Sequence, residues 1–296
     1  MRVTDQNLFS KMRSQLMTAK RNLETASERV STGRKISKMG DDPLVMQYQL
    51  RNEREQANLE QSDKTLRRLS AKYNLYETKT EETYQIMVSL KSTAVQLSNP
   101  HNNEDVKTQM QNELEHLREQ LLGIANTQHE GQYIFSGART DTEAYLSDGT
   151  YQGDSMEMQA ELLPGVTMES NITGERIFGG DGVTDGVNVF GMIQDMLDAL
   201  DGDPQAAIHD HLDDIDQVID QVIQERTNIG IRLSRIELSE NTLDRLELTL
   251  AEKRQNIESV DYVEAIVDFQ EQEYALQAVM QTTGSLITPT LLNYIK

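Results

Sequence analysis

His209 and His211 lie beside Asp210, Asp213 and Asp214. These residue types bind divalent metals through imidazole nitrogen and carboxylate oxygen. Residues two apart do not share a helix face, so the two imidazoles do not readily converge on one ion. A solvated polar surface is the simpler reading. Gly179-Gly180-Asp181-Gly182-Val183-Thr184-Asp185-Gly186 has the outline of a calcium-binding glycine repeat. That repeat wants an acid where Thr184 stands, and it occurs here once rather than as an array. The EF-hand pattern fails as well, for want of a Glu at its closing position. A plain turn accounts for the segment. Asp41 and Asp42 could form a carboxylate pair, but adjacent acids ahead of Pro43 fit helix capping and the helix dipole better. No Walker loop, dinucleotide fingerprint or nucleophile elbow is present. The absence of cysteine removes thiolate nucleophiles, disulfides and Cys-ligated zinc. No catalytic, metal-ligating or cofactor-binding residue is therefore expected.

The chain is organised instead by apolar stripes. Phe9, Met12, Leu16, Ala19, Leu23, Ala26 and Val30 alternate steps of three and four, the spacing of a coiled-coil seam. This predicts a first helix over 4–32, capped by Thr4 or Asp5 and stopped at Gly33. Gly33, Gly40 and Pro43 make the next stretch a turn-rich connection. Pro43 then opens a helix at a position where its missing N–H costs nothing. In that second helix Leu59, Ser62, Leu66, Leu69, Tyr73, Tyr76, Thr80, Thr83, Met87, Leu90, Ala94 and Leu97 keep the same rhythm, weakest at the two threonines. From Pro43 to Ser98 it would extend about 80 Å. Asn99 and Pro100 break it. Met110, Leu114, Leu117, Leu121 and Ile124 mark a third helix, folded back as an antiparallel hairpin.

Residues 131–188 are punctuated by glycines and read as a small β-rich insert. Strands are expected at 133–135, 157–162 and 166–168. A short helix around 189–200 follows. Beyond Pro204 a long helix carries Ile208, Leu212, Ile215, Ile219, Val222, Ile229, Leu233, Ile236 and Leu243, with Arg226 and Glu240 as polar breaks. Leu246, Leu250, Ile257 and Val260 continue it, interrupted by Lys253. The last segment holds Val263, Ile266, Val267, Phe269, Tyr274, Leu276, Val279, Met280, Leu286 and Ile287, and Pro289 is expected to kink or stop it. The expected fold class is mainly α with a β-rich insert. The N- and C-terminal regions would form an elongated antiparallel helical bundle or coiled-coil rod, with the small β domain in the middle.

Composition agrees. Only 37% of residues are hydrophobic and 5% aromatic, with no Trp, which suits narrow seams better than a thick interior. A net charge of −21 argues against nucleic-acid binding. The charge is uneven. Residues 1–40 carry nine Lys/Arg against Asp5, Glu24 and Glu28, while residues 200–225 carry eight acids and no Lys or Arg. A basic end and an acidic middle can pair in an assembly; ordinary solvated faces account for them too. No stretch reaches the ~18–20 apolar residues of a membrane span. The N-terminal residues lack the roughly 7–15-residue apolar core of a secretory signal, so export would need another route.

Ser31-Thr32-Gly33-Arg34-Lys35-Ile36, followed by Asp41-Asp42-Pro43, resembles the N-terminal signature of the flagellin superfamily. Residues 228–237, from Asn228 to Glu237, resemble the opening of its C-terminal helix. Ser259-Val260-Asp261-Tyr262 and Gln277-Ala278-Val279-Met280 resemble its continuation. Within the superfamily, Tyr133-Ile134-Phe135-Ser136-Gly137, Ile177-Phe178-Gly179-Gly180 and the ending Leu292-Asn293-Tyr294-Ile295 are similar to the hook–filament junction branch.

The resemblance implies a structural, non-enzymatic part of the bacterial flagellum, outside the cell. It would be exported unfolded through the flagellar type III pathway, without a cleavable signal. Its partners would be the other hook-associated junction protein, flagellin, further copies of itself in a ring-like layer and an export chaperone, with neither nucleic acid nor membrane. Five segments are expected: assembly segments at 1–43 and 259–296, helical parts at 44–130 and 189–258, and the insert at 131–188. The resemblance implies that the terminal segments are disordered in the free subunit. Narrow seams fit this, because each Leu or Ile that a neighbour fully buries adds about 1.5–3 kcal/mol. Expected assembly contacts are Phe9, Met12, Leu16, Leu23, Val30, Leu276, Val279, Leu286 and Ile287. Two alternatives stay open: a minor or short flagellin that polymerises by itself, and a coiled-coil regulator binding a partner helix.

Overall fold

A computed structural model describes residues 2–35, 43–98, 104–180, 186–200 and 204–292, with the side chains of 2–5, 43–44, 104, 204–210 and 285–292 left aside. The capping expected of Asp41 or Asp42 and the turn at 181–185 lie outside the described residues. The elements run α1 (Arg2–Thr32), α2 (Pro43–Leu97), α3 (Glu104–Ala125), β1 (Gln128–His129), β2 (Gln132–Tyr133), β3 (Gln159–Leu163), β4 (Val166–Glu169), α4 (Glu175–Phe178), α5 (Val189–Ala199), α6 (Pro204–Glu258) and α7 (Tyr262–Leu292). The fold is mainly helical, with two small antiparallel sheets in the middle of the chain. Two compact units form: Met1–Asn58 with Arg245–Lys296, and Leu59–Asp244. The α7 helix runs past Pro289 to Leu292, so the proline does not stop it.

The core of the Leu59–Asp244 unit is the α2 seam. Every expected position from Leu59 to Leu97 is buried. The threonines fit there because Thr80 Oγ1 donates to the Tyr76 carbonyl at 2.7 Å and Thr83 Oγ1 to that of Lys79 at 2.8 Å. A buried hydroxyl so satisfied costs little. On α3, Leu114, Leu117 and Leu121 are buried, and this helix packs on α5. On α6 the buried stripe is Ile215, Val218, Val222, Glu225, Ile229, Ile236, Ser239 and Leu243. Ile219 and Leu233, expected in the seam, are half-buried at its edge. Ion pairs Lys91–Asp216 and Arg226–Glu81, and a 3.4 Å contact from Arg232 Nη1 to the Tyr73 hydroxyl, set α2 and α6 antiparallel.

The insert contains less strand than its sequence suggests. Of residues 133–135 only Tyr133 is in a strand; Ile134 and Phe135 turn into the core. Strands β3 and β4 pair from Gln159↔Glu169 to Leu163↔Val166, with an irregularity between Glu161 and Leu163. Most of the rest is irregular, and tyrosines hold it. Tyr73, Tyr76, Phe135, Tyr145, Phe178 and Phe190 are fully buried, with neighbouring ring centroids 4.9–6.0 Å apart. Hydroxyls of this cluster, and of Tyr151 with its ring centroid 5.0 Å from that of Tyr145, reach backbone carbonyls of the insert. Tyr76 donates to Ile134 O at 2.7 Å, Tyr145 to Gly179 O at 2.6 Å, Tyr73 to Glu169 O at 2.7 Å, and Tyr151 to Phe135 O at 3.0 Å. Each tyrosine buries an apolar ring while satisfying a loop acceptor.

Burial raises the phenol of Tyr73 from its ordinary 10.0 to about 12, and it raises those of Tyr76, Tyr145 and Tyr151 as well. A pKa raised by folding means that the neutral form is bound by the fold. The stabilisation is complete below pH 10.0 and is lost as pH rises toward and beyond the folded value. Alkaline titration should therefore unfold this unit above pH 10.0, with tyrosinate absorbance appearing together with loss of helix. Phe178→Ala should cost about 3–5 kcal/mol in chemical denaturation, since it empties the middle of the aromatic cluster.

Candidate assembly surface

In the unit of Met1–Asn58 with Arg245–Lys296, α1 and α7 pack along each other. The covered stripe on α1 is Met12, Leu16, Ala19, Leu23, Ala26 and Val30. Met12 and Ala26 are buried and the others half-buried. On α7 the less exposed stripe is Ala265, Phe269, Gln272, Leu276, Val279 and Thr283, of which only Ala265 is buried. Arg29 meets Asp268 at 3.5 Å across the pair.

At one end of the pair, two short segments are zipped together. Arg34 and Ser259 form an antiparallel bridge, Lys35 N–H donates to Glu258 O at 2.8 Å, and Val260 N–H donates to Gly33 O at 3.0 Å. These are residues of the two superfamily signatures, brought against each other. Gly33 ends α1 at φ +68°, its N–H bonded to Arg29 O at 2.9 Å. That is the left-handed helix stop that glycine adopts without strain. A Cβ there would lie 2.6 Å from the Tyr262 hydroxyl oxygen. Asp261 starts α7 by accepting from Val263 N–H at 2.9 Å.

The opposite face of α7 is open and carries exposed apolar side chains among its glutamines. Val263 is 74% exposed and Tyr274 69%, with Tyr262, Ile266, Val267 and Met280 also exposed. Residues 263, 267 and 274 share a face at 3.6 residues per turn, turned away from the stripe of 265, 272 and 276.

The expected assembly residues thus have distinct places. Met12 is buried in the pair, and Leu16, Leu23, Val30, Leu276 and Val279 are half-buried. Phe9 is 52% exposed. The side chains of Leu286 and Ile287 lie outside the described residues. Hydropathy missed Ala265, Gln272 and Thr283, because small and polar residues alternate with Phe269, Leu276 and Val279 in the covered stripe, while Val263, Val267 and Tyr274 lie outside it. The phase set by Ala265, with steps of three and four onward to Leu276 and Val279, was the available signal.

Among the described residues the chemical candidates do not gather into a site. His211 Nδ1 sits 3.1 Å from Asp214 Oδ2, one turn away, and His209 lies outside the described side chains. Among the described residues no group of three or more His, Cys, Asp or Glu is placed to hold a metal. None of their helices is long and apolar enough to cross a membrane.

The bacterial flagellin N-terminal helical region matches residues 3–140, and the bacterial flagellin C-terminal helical region matches residues 212–295. The chain belongs to the bacterial flagellin family. The two matches hold α1 from its second residue and all of α2 at one end of the sequence, and most of α6 and all of α7 at the other. They include both zipped segments. This flagellin-family chain is 25% identical over 309 residues to flagellar hook-associated protein 3 of Salmonella typhimurium, spanning 95% of this chain and 96% of that protein. It is 24% identical over 276 residues to the flagellar filament 31.3 kDa core protein of Treponema maltophilum, spanning 91% of each. The structure of a putative flagellar hook-associated protein from Vibrio parahaemolyticus shares the fold. Its TM-score is 0.68 at 24% identity, covering 74% of this chain and 100% of that one.

Gly33→Ala should destabilise the α1–α7 unit by about 1–2 kcal/mol, the cost of a left-handed non-glycine residue. Tyr262→Ala should not relieve it, because the strain lies in φ and the exposed Tyr262 ring can move. Denaturation followed by helix circular dichroism in the two single variants and the double variant checks this.

Proposed function

We propose that the chain is a structural junction protein of the flagellum, joining hook to filament as a thin layer of copies. The observation that carries this reading is the pairing of α1 with α7, half-buried along its seam and open on the face of Val263, Val267 and Tyr274. Two helices that cover each other so thinly gain most when neighbouring subunits supply the missing surface. Similarity along almost the whole chain to a hook-associated protein 3 supports the same role.

The role is non-enzymatic and extracellular. Segments 1–43 and 259–296 make the assembly layer, with Phe9, Met12, Leu16, Leu23, Val30, Leu276, Val279, Leu286 and Ile287 in contact. The helical parts 44–130 and 189–258 carry the insert 131–188. The terminal segments order on assembly, which suits export as an unfolded chain with a chaperone. The partners are the other hook-associated junction protein, flagellin and further copies of this chain. The filament-forming reading has its own support in the Treponema relative, a filament core protein.

Electron microscopy of the purified full chain, alone and added to hook ends that carry the other junction protein, separates the two readings. The junction reading expects no filaments from the chain alone, and a terminal layer on which flagellin grows. Long filaments from the chain alone would establish the filament reading instead. Val267→Asp with Tyr274→Asp should leave the helix content of the free chain unchanged and abolish the layer. Normal layering by that double variant would remove the open α7 face from the interface.

A further inference from the structure

A cleft of about 470 Å³ opens between α2 and the insert in the Leu59–Asp244 unit. Arg68 and Lys72 form one wall, and the β1–β2 hairpin from His129 to Tyr133 forms another, with Glu130 as the one carboxylate against the two cations in the lining. Lys64, Arg68 and Lys72 follow one another at four-residue steps and so make a cationic row on α2. Among the described residues none of the three has a carboxylate within 4.0 Å. Several other cations of the unit do, though not Arg118 or Arg235: Arg67 pairs with Asp63, Lys79 with Glu82, Lys91 with Asp216 and Arg226 with Glu81. Lys72 lies with its Nζ 5.7 Å from the Tyr76 ring centroid, and burial together with Arg68 lowers its pKa. Unpaired cations in a chain of net charge −21 are out of keeping with their surroundings.

The same unit carries the complement. On α6, Asp213 and Asp220 are exposed and have no cation within 4.0 Å among the described residues. They flank Asp216 on the face opposite the buried stripe. The two rows cannot meet within one copy. The Lys91–Asp216 pair sets the level of the acidic row, which lies 23 residues along α2 from Arg68, or about 35 Å at 1.5 Å per residue.

We propose that the cationic row and cleft of one copy receive the Asp213–Asp220 face of a second copy displaced along the helices. The contact is heterologous, because two different patches meet, and repeated heterologous contacts generate rings or helical layers. A strongly acidic subunit otherwise repels its own copies. Matching this row to the acidic face lets like-charged chains associate and fixes the stagger between them. The proposal rests on the layer-forming role and adds which surfaces meet.

The test uses charge-reversed full-length chains. Arg68→Glu with Lys72→Glu removes the basic side, and Asp213→Lys with Asp220→Lys removes the acidic side. Lys64→Glu with Arg68→Glu, both exposed, repeats the first change without touching the part-buried Lys72. Self-association is read by sedimentation at low ionic strength and at the highest soluble concentration, and layer formation on hook ends by microscopy. Wild-type association should weaken with salt and fall roughly tenfold in each reversed variant. An equimolar mixture of a basic-side and the acidic-side variant should recover association as neither does alone, because reversed patches still find each other. Wild type that stays monomeric in both assays would overturn the inference. So would variants that associate as wild type does, or a mixture without recovery. Salt-sensitive pairing in solution with no layer on hook ends would sustain the contact and remove the junction role.

Discussion

Burial is divided unequally between the two compact units, and the rest follows from that. Along α2 every seam position from Leu59 to Leu97 is buried. Along α1 and α7 the described side chains that reach burial are Met12, Ala26 and Ala265. Each of these helices has 31 residues, and ordering a residue costs about 1–2 kcal/mol in backbone entropy. A half-covered seam offsets that cost poorly. The zipped segments at Gly33 and Ser259 help by fixing where the two helices start and stop, but they do not add apolar cover. Under the proposed role, neighbouring copies would supply cover for the open α7 face.

The Leu59–Asp244 unit solves the opposite problem. It must hold an irregular insert without long strands to pair its backbone. The tyrosines do this from the core outward, with rings packed on one another and hydroxyls bonded to Ile134, Gly179, Glu169 and Phe135. Arg232 and Arg176 reach Glu169 from α6 and α4, so charge anchors the same strand end. A unit held by side-chain donors to loop carbonyls can change its loop sequences while keeping its core.

Much of this was legible in the sequence, and the misses have physical reasons. The α2 seam was readable because nothing competes with a strict three-and-four spacing. Thr80 and Thr83 looked weak, yet a threonine that bonds back to its own helix is apolar in effect. The α6 seam was displaced where charge entered it. Glu225 is buried and Arg232 half-buried beside it, and hydropathy reads such residues as surface. The insert looked β-rich because glycine-punctuated apolar runs suit strands. Ile134 and Phe135 left the strand once the aromatic cluster offered more burial. On α7 hydrophobic residues fall on both faces, Phe269, Leu276 and Val279 on the covered one and Val263, Val267 and Tyr274 on the open one, and Ala265, Gln272 and Thr283 complete the covered stripe. A sequence states which residues avoid water, and the face that awaits a neighbour avoids it as much as a core does.

Amide hydrogen exchange, measured on the free chain and on the chain assembled at hook ends, tests the central claim most directly. The account predicts that α1 and α7 exchange fast in the free chain and become protected in the layer, while α2 from Leu59 onward is protected in both. Protection of α1 and α7 in the free chain equal to that of α2 would contradict it, for the pair would then need no neighbour.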